Sequence, residues 1–210
     1  MIRDRLVELH NERTRSGTLA GERSLAEARL LCARVLGSYW RAIRGAEKNQ
    51  WRLRNAPSSP GLSPSGLDRA ARKACEELGN RLAMLRPVEA GYELGKTYAG
   101  LIPAEMRADY GVYYTPPALA DRLLALVDEE GIDWSRASVL DPACGGGAFV
   151  AAVVCRIRNA MADRDPAELI ESVAARVRGY EIDPFSAWMS QVFAEAVLLP
   201  ESQRSGMRLG

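Results

Sequence analysis

The stretch that most constrains this chain is Val139–Val150, VLDPACGGGAFV. A short β-type run (Ser138, Val139, Leu140) ends on Asp141-Pro142 and breaks into Gly145-Gly146-Gly147. From Ala148 onward the pattern is helical. A strand, a glycine turn and a helix start make a place where backbone comes close to the polar part of a nucleotide-like ligand. The glycines permit the approach, and the unpaired N–H groups of the first helical turn point at it.

The same type of alternation surrounds that stretch. Thr115 reads as an N-cap, with Pro116-Pro117 in the first turn of a helix running through Leu119, Leu123, Leu124 and Val127 to Gly131. Pro166–Val177 reads as a further helix, and Val177–Ile182 (VRGYEI) as a second strand ending at Asp183-Pro184. Phe185–Leu199 is helical again. Helix, strand, helix, helix, strand, helix predicts an α/β fold with parallel strands.

Residues before 103 read as helical throughout. A weak amphipathic helix opens the chain (Ile2, Leu6, Leu9). Ser24 and Glu27 have capping-box spacing ahead of a helix that could run to about Arg54, with Gly37 and Gly45 as weak points. Asn55–Gly66, rich in Pro, Ser and Gly, reads as a linker. Helices over Leu67–Arg86 and Val88–Ile102 follow, each closed by a proline. The expected organisation is a helical region over 1–102 and an α/β region over 103–210.

Charge divides along the same line. Residues 1–100 carry 18 Lys and Arg against 11 Asp and Glu, a net of +7, while the rest of the chain is net −6. Arg41, Arg44, Lys48 and Arg52 recur at spacings of three and four, flanked by Trp40 and Trp51. That stripe reads either as a phosphate-contacting surface or as a plain solvated helix face. Four separated cysteines and one histidine, His10, assemble no zinc site. No run approaches about 18 apolar residues, and the polar start MIRDRLVELH is unlike a signal peptide. A reduced, cytoplasmic protein is the expectation.

In a parallel α/β sheet, ligands bind at the carboxyl ends of the strands. Both strand ends here are acidic, Asp141 on the first and Glu181 on the second. An acid at the second strand end is placed to accept hydrogen bonds from ribose hydroxyls. The glycines are not G-x-G-x-x-G, however, and Glu181 lies 34 residues past Gly147, against about 20 in dinucleotide enzymes. A ligand with adenosine and no pyrophosphate fits better.

At these residues a family resemblance emerges. VLDPACGGGAFV resembles the first S-adenosylmethionine motif of N6-adenine DNA methyltransferases, with Gly146 where serine is usual. GYEIDPFSAWMSQ is similar to the second motif. GVYYTPPALADRLL is similar to the tenth, which precedes the first in this family's permuted order. LGKTYAGLIPAEMRADY resembles the helical lead-in of type I modification subunits and related fused restriction–modification enzymes.

The resemblance implies a Rossmann-like methyltransferase core, here incomplete, with S-adenosyl-L-methionine as cofactor and double-stranded DNA as partner. Tyr114, Thr115 and Pro116 would border the methionine end. Asp141, Ala143, Cys144, Gly145 and Gly147 would form the loop under its amino-acid part. Glu181 would take the ribose hydroxyls and Ile182 pack on the adenine, while Phe149 shapes the loop or fills core. Such an enzyme needs acceptors for the amino hydrogens of adenine and an aromatic ring for the flipped base. The family supplies these as Asp/Asn-Pro-Pro-Tyr/Phe, which is absent from these 210 residues. No catalytic residue is therefore assigned, and a second chain or a further segment is expected to supply it. The competing expectation is a non-catalytic DNA- or protein-interaction subunit with a vestigial core.

Overall fold

The computed structural model describes residues 2–15, 22–45, 51–57, 67–109 and 111–209. Lys48 and positions 58–66 of the expected linker lie outside them. The described chain is mostly helical, with two short parallel strands. It divides into two compact units, Met1–Arg86 with Glu93–Tyr113, and Pro87–Tyr92 with Tyr114–Gly210. No described helix is long and apolar enough to cross a membrane.

The first unit is built on α1 (Ile2–Arg15), α2 (Glu22–Arg44) and α3 (Arg69–Leu82). The apolar periodicity of α2 and α3 is buried as a core of Cys32, Val35, Leu36, Tyr39 and Trp40 from one helix, and Ala71, Ala74, Leu78 and Leu82 from the other. What sets their separation is Gly79. A Cβ there would lie 2.5 Å from Ser38 Cβ, 2.6 Å from the Val35 carbonyl and 2.8 Å from the Tyr39 nitrogen, so the two backbones nearly touch. The Cys75 thiol beside this crossing donates to the Leu31 carbonyl at 3.6 Å.

Three local expectations change in this unit. Helix α2 starts at Glu22, so Ser24 and Glu27 lie inside it and form no capping box. They clamp the buried His10 instead. Its Nδ1 lies 3.0 Å from Glu27 Oε2 and its Nε2 lies 3.1 Å from Ser24 Oγ, while Arg13 pairs with Glu27 Oε1 at 2.5 Å. A buried imidazole requires partners on both nitrogens, and that need outweighs the local cap. Helix α2 also stops at Arg44 rather than near Arg54, because Gly45 adopts a left-handed φ of 73°. Finally, α3 begins at Arg69, where Asp68 Oδ1 accepts the Ala71 N–H at 2.7 Å.

Pro87–Leu101 forms α4 and Ala104–Asp109 forms α5. The second unit then holds α6 (Pro117–Glu129), β1 (Val139–Asp141), α7 (Ala148–Ala160), α8 (Pro166–Arg176), β2 (Val177–Gly179), α9 (Pro184–Val197) and α10 (Leu199–Ser205). Helix α9 is its core element, with Phe185, Trp188, Met189, Val192 and Phe193 buried. It packs against α7.

Here too the ends move. Helix α6 has Pro116, not Thr115, at its N-cap and no side-chain cap bond. Pro117 excludes the helical conformation from the residue before it, and Pro116 sits at ψ 139°. The ladder of β2 stops at Gly179 rather than Ile182. The single helix expected over 185–199 is two, because Pro200 lacks the N–H that would continue α9 and instead suits the first turn of α10.

Replacing Gly79 by alanine is expected to cost about 1–3 kcal/mol, since the added methyl meets backbone that cannot swing away. Urea unfolding of the two proteins checks this. Equal midpoints would mean that α2 and α3 can separate freely.

Candidate functional site

Three-residue strands are too short to hold a loop by themselves, and here the loop is held by their continuation. The strands run parallel with Val139 opposite Val177, Leu140 opposite Arg178 and Asp141 opposite Gly179. Beyond the ladder, Tyr180 N–H donates to the Asp141 carbonyl and Cys144 N–H to the Tyr180 carbonyl, both at 2.9 Å. The glycine turn is thus stitched to the end of β2.

Glu181 completes the stitching. Its Oε2 accepts the Gly145 N–H at 2.9 Å and its Oε1 the Asp183 N–H at 2.8 Å. The second bond closes a tight turn at residues 181–183, just ahead of α9. The loop glycine and the second-strand acid, 36 residues apart, are in direct contact. Asp141 Oδ1 accepts the Ala143 N–H at 3.1 Å. Cys144 is buried, Gly179 leaving the space its side chain fills: a Cβ at 179 would lie 2.9 Å from Cys144 Sγ. Burial raises the Cys144 thiol above the ordinary range, only partly offset by a hydrogen bond with Ser190.

Two glycines of the turn are required for different reasons. Gly147 is the N-cap of α7 at φ 88°, and a Cβ there would lie 2.7 Å from Ser190 Cα. Gly146 lies under the ring of Tyr114, whose Cε1 would be 2.6 Å from an added Cβ. That contact gives a physical reason for glycine where the resembled motif has serine. Helix α7 has no side-chain cap, whereas Asp165 caps α8 and Asp183 caps α9. The first-turn donors of α7 are therefore available to an anionic group, beside carboxylates able to accept hydroxyls.

The remaining predicted residues are distributed around this turn. Tyr114 reaches it, its hydroxyl 3.2 Å from Ser186 Oγ, and Thr115 is half-buried beside it in sequence. Pro116 and Ala143 are exposed, and Ile182 is 72% exposed. Phe149 is half-buried. Sequence reasoning missed Ser186 and Ser190. The first donates to Asp183 Oδ2 at 2.7 Å and so links Tyr114 to the start of α9, and the second lies against Gly147. Its signal was the Asp-Pro-x-Ser spacing of an N-cap at residues 183–186.

In the other unit, the expected basic stripe does not lie on one helix. Arg41 is exposed and Arg44 half-buried at the end of α2, Arg52 follows the helix, and Lys48 is outside the described residues. Trp40 and Trp51 are buried, joined by a bond from Trp40 Nε1 to the Trp51 carbonyl. Among the described residues no cluster of three or more His, Cys, Asp or Glu is placed to hold a metal.

No protein-family model matches the chain, and no curated protein matches it. Among solved structures it is similar to the Type IIL restriction-modification enzyme MmeI in complex with DNA, at 16% identity and a TM-score of 0.50. The match covers 98% of this chain and 37% of that one. It is a likeness of fold, with a restriction–modification enzyme.

Two measurements test the turn. Gly147→Ala is expected to destabilise the protein more than Gly146→Ser, because the first meets backbone at a left-handed φ and the second meets a side chain. Combining Gly146→Ser with Tyr114→Ala is expected to recover most of its cost of about 1 kcal/mol. Thiol labelling tests burial. A raised thiol holds less thiolate at any given pH, so Cys144, Cys32 and Cys75 should react more slowly near pH 8 than the half-buried Cys155. Labelling of Cys144 first would contradict the geometry.

Proposed function

We propose that this chain is the S-adenosylmethionine-binding part of a DNA adenine N6-methyltransferase from a restriction–modification or phage-defence system. The observation that carries the reading is the bond between Gly145 of the turn and Glu181 at the second strand end, beside an uncapped helix start. That is the pairing of loop and acid that the motif resemblance calls for. The fold likeness to a restriction–modification enzyme supports the same setting.

In this reading the first-turn N–H groups of α7 and the glycine turn would receive the carboxylate of the cofactor, with Asp141 close to its ammonium. Glu181 would accept from the ribose hydroxyls. Each of its oxygens already takes one backbone N–H and keeps a further lone pair for a ligand. Tyr114 would border the methyl end, with Thr115 and Pro116, and the exposed Ile182 would receive one face of the adenine. The parallel pair of strands would then belong to a Rossmann-like core. The catalytic Asp/Asn-Pro-Pro-Tyr/Phe, absent from these residues, would come from a second chain or a further segment, as would the reading of the DNA sequence.

Titration calorimetry of the purified chain with S-adenosylmethionine is the test. Binding is expected, and Glu181→Ala is expected to weaken it by about tenfold or more, as for hydrogen bonds lost to a charged acceptor. Methyl transfer to DNA by this chain alone would overturn the division of labour. Absent cofactor binding, with DNA or protein association intact, would favour a non-catalytic interaction subunit.

A further inference from the structure

A positively charged groove lies between α2 and α3. It encloses about 300 Å³ and is lined by Arg34, Arg41 and Arg72, with Glu76 as its one carboxylate. Neither Arg44 nor Arg52 lines it. The sequence stripe ran along one helix, whereas this cluster is made by two helices held together at Gly79.

The groove is arranged for an anion. Arg34 and Arg41 stand seven residues apart on α2, about 10 Å along its axis. Both side chains line the same groove. Arg41 donates through Nη2 to Ser38 Oγ at 2.9 Å instead of to a carboxylate. Its Nη1 lies only 3.6 Å from where a Cβ of Gly37 would be, so the side chain lies along the helix in the space that glycine leaves. Among the described residues Arg72 has no carboxylate partner. The one acidic thiol in the lining, Cys75, is pushed up to about 12 by burial and stays neutral beside the arginines. Guanidinium groups fork onto phosphate oxygens, and Arg41 and Arg72 against the one carboxylate leave the lining net positive.

We propose that this groove grips the phosphodiester backbone of duplex DNA through Arg34, Arg41 and Arg72. The choice of DNA rests on the function proposed above, while the phosphate contact rests on the groove alone.

Anisotropy of a labelled DNA duplex, titrated with the full chain over about 50–200 mM salt, tests it. Each arginine that neutralises a phosphate contributes about 0.9 to the slope of log K against log salt, so changing all three to glutamine is expected to lower the slope by about 2.7. Changing all three to lysine is expected to keep it. An unchanged slope in a glutamine variant that melts like the wild type would overturn the proposal, as would loss of the slope in the lysine variant. Wild-type protein that fails to bind the duplex would overturn it as well. Duplex RNA bound as tightly through the same arginines would overturn the assignment to DNA. The two proposals fail separately. Lost cofactor binding in the wild type leaves the salt slope intact, and a flat slope leaves calorimetry with S-adenosylmethionine intact.

Discussion

The second unit depends on a parallel pairing that is short by any standard. Three residues of β1 meet three of β2, and the pairing survives because it does not end where the strands do. Backbone bonds from Tyr180 to Asp141 and from Cys144 to Tyr180 carry it into the glycine turn, and the Glu181 carboxylate carries it one step further. The turn is therefore tied to the end of the sheet by three hydrogen bonds. A site built this way presents its groups pre-positioned, which is what binding with little entropic penalty requires.

Three Asp-Pro pairs look alike in the sequence and do different work. Asp165 and Asp183 accept N–H groups at the starts of α8 and α9, each with proline in the first helical turn. Asp141 also takes an N–H two residues on, that of Ala143, yet no helix follows. Glycines come next, and the helix waits until Ala148. The local rule for Asp-Pro is satisfied in all three places, and what separates them is the residues that come after. It leaves α7 without a side-chain cap while α8 and α9 have theirs.

The existence of most elements was legible from periodicity and from turn residues, as was the place of the turn. Their ends were harder to read, for identifiable reasons. Gly45 stops α2 by adopting a left-handed φ, Pro200 divides the last helical run, and Pro117 displaces the cap from Thr115 to Pro116. The contact of Glu181 with Gly145 could be guessed only from the motif resemblance, since nothing local joins residues 36 positions apart. The basic cluster was legible as composition and illegible as geometry. Its arginines come from two helices, and their meeting is decided by a packing distance that no single segment encodes. His10 stood in the sequence as a lone histidine. Only the docking of α1 gave it Ser24 and Glu27.

Gly79 lies between the two helices that form the arginine groove, with backbone 2.6 Å from the place of its missing side chain. A crossing that close has no slack, so any side chain at this position would force the two backbones apart. One obligatory glycine therefore constrains this pair of helices more tightly than any single position of its hydrophobic pattern. Leucines exchange for one another along a core face, whereas this position offers evolution no synonym.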